Sequence, residues 1–379
     1  MTNPSSTPAL TARHATLADL AALLRDQQAR KLDVVAPATA LRSAGARLVI
    51  DGAEPQITAD GVTMTTGAYT PTDVCDEGLA DKLAIPVTYL RRLRAEHPSL
   101  YDANINGWLH RTDRSYLVRC LRGDSGGGIA RAFLSTGYKI IDNLDVLLAA
   151  LDGLRQSGVP ADIDGCDLTP RRMYVRVVSP AVRALAPDLL AGYRSPFTGL
   201  SGADNPVVFA GWVLTNSETG CGAFTIAPRL VIQVCRNGMT LTKDALRAVH
   251  LGGRLDEGVV RWSGDTQQRN LELITAQARD AVATFLDTSY IEKKIAEMSK
   301  AASSSVSDPQ ETIQIVSQRL RFTESQQKTI LAHFIRGGDL SAGGVMHAVT
   351  SAAQTVTDAD AAHEMEAQAL AALDLAAQM

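Results

Sequence analysis

Apolar residues recur at helical spacing in three regions of this chain and at strand-like spacing between them. In TLADLAALLRDQQARK (16–31), Leu17, Leu20, Leu23 and Leu24 share one helical face, and Thr16 is placed to cap the helix. The stretch 45–66 breaks into short β-like pieces (ARLVID, PQITA, VTMTT) divided by Gly and Asp turns. From Thr72 to His110 the helical period returns, with Pro86 and Pro98 each opening a helix. SYLVRCLRG (115–123) and IARAFLST (129–136) flank a glycine loop, and YKIIDN leads into a helix over about 143–157. MYVRVV (173–178), VVFAGWVLTN (207–216) and FTIAPRLVIQVC (224–235) read as strands, the last two joined as a hairpin around SETGCG. After Trp262 the pattern is helical throughout, with a long amphipathic helix over 267–286. A connector follows at 303–309, and Asp308 caps the next helix.

This order predicts an α+β fold: a central antiparallel sheet, a helical segment before it and a helical C-terminal region. The expected divisions are a mixed region over 1–70, a helical segment over 71–114, a β-rich domain over 115–261 and helices over 262–379. No repeat of solenoid length is present. The chain has 379 residues, 45% apolar and 21% charged, a composition that supports a sizeable core. No stretch approaches a membrane span. MTNPSSTPAL has no basic start followed by an apolar run, so it reads as a short disordered lead and not as a secretory signal. Cys75, Cys120, Cys166, Cys221 and Cys235 form no C-x-x-C pair, which suits core positions in a reducing cytoplasm and points to no zinc site.

The net charge of −4 conceals strong patterning. Residues 1–81 carry 6 basic and 10 acidic groups, 82–139 carry 10 and 4, and 140–168 carry 1 and 6. Residues 169–261 carry 11 and 6, and 262–379 carry 9 and 15. Two basic blocks therefore sit inside an acidic frame, a pattern that raises the question of a polyanionic partner.

Catalytic motifs do not survive their context. GDSGG (123–127) matches the nucleophile loop of chymotrypsin-like proteases, with Ser125 as nucleophile. Only His14, His97 and His110 precede it, and no double-barrel strand series accompanies it. HEMEA (363–367) lacks the second histidine that a zincin helix places four residues after the first. His333, His347 and His363 then read as core or solvent-facing residues, and no phosphate-loop motif is present. The sequence thus points to no cofactor, no metal and no catalytic residues.

The segment LADKLAIPVTYLRRL (79–93) has helix-turn-helix spacing, with Ala84 where glycine is common and Arg91, Arg92 and Arg94 on its second helix. Basic and aromatic residues also interleave elsewhere in the basic blocks. Tyr116 precedes Arg119 and Arg122, Arg131 and Phe133 are followed by Tyr138 and Lys139, and Arg171 and Arg172 adjoin Tyr174 and Arg176. Together with Arg236 and Lys243 these are the candidate nucleic-acid contacts: cations for phosphates beside rings for base stacking. The competing reading places the rings in the core and the arginines on a solvated rim. After Arg336 the chain has no Lys or Arg but six acids, Asp339, Asp358, Asp360, Glu364, Glu366 and Asp374, which suggests helices that dock on a host protein or on a neighbouring subunit.

Three strings, NSETGCGAFTIAPRLVIQVCRNGM (216–239), RAFLSTGYKIIDN (131–143) and VMHAVTSAAQ (345–354), give the chain a family likeness. Over roughly residues 70–365 it resembles the phage- and plasmid-encoded family known as domain of unknown function 932. The resemblance implies a mobile-element protein of the bacterial cytoplasm and brings no established activity or site residues. The reading these features support is a non-catalytic protein that binds DNA, preferably single-stranded. It would oligomerise with itself and serve recombination or replication. A regulatory protein acting through the acidic C-terminal helices is the alternative.

Overall fold

In the computed structural model, which describes residues 8–124, 127–235, 238–248 and 264–379, Thr16 caps the first helix, its hydroxyl accepting the Asp19 backbone N–H. A short strand, β1 (Ala12–Ala15), precedes this helix, α1 (Leu17–Arg30), and β2 (Lys31–Pro37) follows it directly. The chain continues as β3 (Leu41–Ala44) and a long hairpin of β4 (Arg47–Thr58) and β5 (Gly61–Pro71). The three pieces expected over 45–66 are therefore two strands. A bulge between Ile50 and Glu54 absorbs Gly52, whose positive φ looks like a turn in sequence.

Next come α2 (Asp73–Leu83), α3 (Val87–Glu96) and α4 (Pro98–Leu109). Ala84 ends α2 in the left-handed region, at φ 54°, while Pro86 and Pro98 open α3 and α4 as expected. The strands β6 (Ser115–Arg122) and β7 (Gly128–Ser135) complete a six-stranded sheet in the order β2-β6-β7-β5-β4-β3, parallel at β5/β7 and antiparallel elsewhere. The division expected at residue 115 therefore separates strands that share one sheet. Local turn signals show that β6 and β7 are a hairpin but not which strand they join. Helices α2–α4 share one apolar core with this sheet, in which Leu79, Leu90 and Tyr101 meet Tyr69 and Phe133. At Gly78 an added Cβ would lie 2.3 Å from the Phe133 carbonyl oxygen, so only glycine lets α2 approach β7 this closely.

A second sheet follows α5 (Asn143–Ser157). It is built from β8 (Asp162–Leu168), β9 (Met173–Leu185), β10 (Val207–Asn216), β11 (Phe224–Ile232), β12 (Gly238–Thr240) and β13 (Leu246–Ala248), with the short α6 (Pro187–Leu190) between β9 and β10. Its order is β1-β8-β9-β10-β11-β12, with β13 also on β11, and every pair is antiparallel. The α+β class with an antiparallel sheet before C-terminal helices is what the hydrophobic pattern predicts. Those helices are α7 (Gly264–Phe285), α8 (Thr288–Ala302), α9 (Pro309–Leu320), α10 (Glu324–Gly337), α11 (Ala342–Ala353) and α12 (Ala359–Ala376). Asp308 caps α9 through the Glu311 N–H, as expected. No described helix is long and apolar enough to cross a membrane.

The faces of this second sheet differ, and that difference positions the site. Val175, Val177, Ala210, Trp212, Leu214, Ile226 and Leu230 belong to the apolar core, together with Val146 of α5 and Ile274, Ala278 and Val282 of α7. Alternation puts Tyr174 and Arg176 of β9 on the opposite face. Asp167 pairs with Tyr174 across β8, and Arg229 lies opposite Gly211 across β10. The helix over this charged face is α12, whose His363 ring lies 4.3 Å from that of Tyr174.

Candidate functional site

The expected nucleic-acid contacts gather into three separate groups, each engaged by the protein's own acceptors. On α3, Arg91 binds Glu77 at 2.5 Å, and Arg94 binds Asp73 at 2.7 Å and Asp76 at 2.8 Å, so both fold back onto α2 instead of projecting outward. Arg171 joins the same Glu77 from the other sheet. Arg92, mostly exposed, pairs with Glu96 one turn away.

At the junction of the two sheets, Arg119 is 1% exposed and binds Asp33 at 2.9 Å, Asp142 at 2.6 Å and the Glu218 carbonyl. Arg131 meets the Glu218 carboxylate at 2.6 Å, and the Tyr138 hydroxyl donates to the Ser217 carbonyl. Burial would push the Arg119 guanidinium down, but Asp33, Glu218 and Asp142 outweigh it and hold the group charged. The distinctive turn at 216–222 is thus a packing element: it receives side chains from the other sheet, and Asn216 donates to Asn143 and to the Ile141 carbonyl. Arg122 lies 3.6 Å from Glu54, Lys139 is half-buried, and Lys243 reaches Asp374 at 3.7 Å from an exposed position. Arg236, together with Ser125, Trp262 and the first seven residues of the expected lead MTNPSSTPAL, lies outside the described residues.

The third group lies beside a chamber, which Arg176 lines. Arg172 donates to the Cys221 carbonyl, the Tyr174 hydroxyl donates to Asp360 at 2.7 Å, and Arg176 pairs with Asp167 at 2.6 Å. Asp167, wholly buried, also takes Arg13 at 2.6 Å and the His14 backbone N–H at 2.7 Å. His14 itself sits at φ 50°, a left-handed conformation uncommon for any residue but glycine. Across the chamber Arg229, 3% exposed, binds Asp164 at 2.9 Å and Glu366 of α12 at 3.3 Å. The space, about half open to solvent, is about 190 Å³, lined by Arg13, His14, Asp164, Arg176, Arg229 and His363 among others. A larger cleft of about 580 Å³ shares Arg13 with it and runs between α2–α3 and the start of α12, past Asp73, Arg91, Arg171 and Asp358.

Three buried atoms of residues lining the chamber have no hydrogen-bond partner: Arg13 Nε, His363 Nδ1 and Glu366 Oε2. A fourth, Arg229 Nε, lies against Gly238, where an added Cβ would stand 2.0 Å away. Buried polar atoms are nearly always satisfied, so a cluster of exceptions marks a place where something else supplies the partners. Burial, with Arg176 and Arg229 nearby, depresses the His363 imidazole to about 3, and burial with Arg13 depresses that of His14. Both rings are neutral at pH 7. Burial raises the Asp167 carboxyl, but Arg176, the His14 N–H and Arg13 outweigh it, leaving the group below the usual carboxylate range.

Most of these chamber residues are missed by a reading of basic blocks, which treats His363 as a core or solvent-facing residue and Glu366 as part of a docking surface. One signal was available. Arg229 is the lone charge in the apolar run FTIAPRLVIQV, and a charge buried on a central strand requires a buried counter-charge. The acids of α12 supply it from inside the molecule, so Asp360, Glu366 and Asp374 face the chain's own Tyr174, Arg229 and Lys243. His333 and His347 are core residues, bonded to Ser351 and to the Leu189 carbonyl. Among the described residues no group of three His, Cys, Asp or Glu could hold a metal ion. No family model, no curated protein and no solved structure matches the chain.

Proposed function

We propose that this protein binds a small polar molecule in the chamber beneath α12, reached along the larger cleft. What carries the reading is that Arg13, His363 and Glu366, each with a buried polar atom that lacks a hydrogen-bond partner, all line one half-open space. A space of about 190 Å³ suits a small metabolite. The test is a thermal-shift panel of α-amino acids, hydroxy and keto acids, amines, polyols and inorganic phosphate at millimolar concentration. Ala362 is buried and lines the chamber, and Ala362→Leu would narrow it. At least one compound should raise the melting temperature of the wild type and not of this variant, because a ligand stabilises only the state that binds it. A panel without any such compound overturns the reading.

Single-stranded DNA binding in recombination or replication is the second reading, and the exposure of two aromatic rings near basic residues favours it. Trp108 is 44% exposed with the Arg111 guanidinium 5.5 Å from its ring centre, and Tyr89 on α3 is 47% exposed. An exposed ring beside a cation suits base stacking. Fluorescence anisotropy with a labelled oligonucleotide should then show binding that weakens with salt and is lost in Trp108→Ala. No change in anisotropy at low salt removes this reading.

A further inference from the structure

The strand at the start of the second sheet is weakly held. Among the described strands β1 pairs with β8 alone, and its register slips between Ala12 and Ala15. Little apolar surface fixes it: of residues 8–15 only Pro8 is buried, and Ala12 and Ala15 pack part-buried against the core. Polar bonds hold it instead. The Arg13 guanidinium at 2.6 Å and the His14 backbone N–H at 2.7 Å both donate to Asp167, and Arg13 also donates to the Val356 carbonyl at 3.0 Å. The left-handed backbone of His14, at φ 50°, is strain that release would relax.

Two further features favour release of this segment as a unit. Thr16 caps α1 and Leu20 and Leu24 bury that helix in the core, so the chain has a firm pivot where the segment ends. Arg176 also binds Asp167 at 2.6 Å, so departure of Arg13 does not leave the buried carboxylate without a counter-charge. The same segment is a wall of both cavities. Thr11 and Ala12 line the cleft, His14 lines the chamber, and Arg13 is the one described residue that lines both.

We propose that residues 8–15 are a movable strap latched on Asp167. With the strap closed, Arg13 stands between the cleft and the chamber. With β1 lifted off β8, the two become one continuous space. The strap thus sets the size of the space offered to an entering molecule, and its motion does not depend on the reading of the chamber as a ligand site.

The test uses a switchable lock. Ala15 lies opposite Cys166 in the β1/β8 register, and paired Cα atoms of antiparallel strands are about 4.5–5.5 Å apart, within disulfide reach. In Ala15→Cys, oxidation should tie the strap to β8 and dithiothreitol should free it. Hydrogen exchange of the full chain, read by mass spectrometry, compares the peptide 8–16 with β10. In the wild type and the reduced variant the strap amides should exchange at least about tenfold faster than those of β10, and oxidation should remove most of that difference. Arg13→Gln, which removes the charged latch, should speed them further and leave β10 unchanged. Modification of His363, in the chamber wall, by diethyl pyrocarbonate should slow on oxidation and recover on reduction. Strap amides that exchange no faster than those of β10, or that ignore the lock, would overturn the proposal. So would fast strap exchange with His363 equally reactive in both redox states, because the segment would then fray without opening the wall. If the disulfide does not form, Arg13→Gln carries the same two readouts against the wild type. Neither readout uses a ligand, so an empty thermal-shift panel leaves this result standing and the reverse also holds.

Discussion

Single residues decide whether the buried charges of this protein can coexist with its core. Gly238 is the sharpest case: its missing side chain leaves the plane against which the Arg229 guanidinium lies. Gly238→Ala would place a Cβ 2.0 Å from Arg229 Nε and force the guanidinium off Asp164 and Glu366. The expected cost is about 3 kcal/mol or more, the range for breaking a buried pair, read from a urea titration. A loss below about 0.5 kcal/mol, the level of a neutral surface change, would show that Arg229 has room to move.

Asp167 makes the complementary prediction in pH. Its carboxyl lies lower in the folded chain than in the unfolded one, so its contribution to stability is complete above the unfolded value of about 3.9 and is lost as pH falls through the folded value. Asp167→Asn should be less stable than the wild type at pH 7 and should show a shallower decline below about pH 4. Asp142, held low at the sheet junction, retains part of that slope. Parallel acid limbs in the two proteins would contradict the assignment.

At the scale of elements, α12 packs apolar side chains into the core shared with the second sheet. Its Met365, Ala369, Ala372 and Leu373 enter the core while Glu366 and Asp360 cover the polar face of the sheet. A chain ending after residue 357 should lose its cooperative thermal transition and associate on size exclusion. A tail reserved for a partner would instead leave a truncated chain with an unchanged melt. The same helix shows how far sequence pattern reaches. Helices α1, α3 and α9 and strands β10 and β11 are legible because periodicity, proline placement and capping residues are local properties. Strands β2, β8 and the pairing of β7 with β5 are not. DIDGCDL reads as polar because Asp164 and Asp167 satisfy charges from β9, β11 and the N-terminal segment, which is information that resides at distance. Residues of the candidate site were half legible for the same reason. Tyr174 and Arg176 stand out as a basic-aromatic pair, whereas Arg13, Asp164 and His363 acquire meaning only when the sheet brings them together.

Across the whole molecule, the alternation of acidic and basic blocks describes folding partners. The basic block 82–139 meets acids on both sides of it, through Arg91 with Glu77, Arg94 with Asp73 and Asp76, and Arg119 with Asp33 and Asp142. The block 169–261 meets the acids of β8 and α12, through Arg176 with Asp167, Arg229 with Asp164 and Glu366, and Lys243 with Asp374. Net charge along the sequence therefore overstates the field outside the protein, because opposite blocks are brought together on folding. Most of the arginines of the two basic blocks that the structure describes are engaged by the chain's own carboxylates and carbonyls.

That claim meets its most direct test in the urea unfolding midpoint of the triple variant R171E/R172E/R176E. The three side chains hold Glu77, the Cys221 carbonyl and Asp167. Reversal leaves Asp167 buried opposite a second carboxylate, so stability should fall by about 3–5 kcal/mol at least, with unfolding under native conditions as the extreme. A variant that folds with the wild-type midpoint would contradict the account and return these arginines to the solvent-facing role that the sequence first suggests.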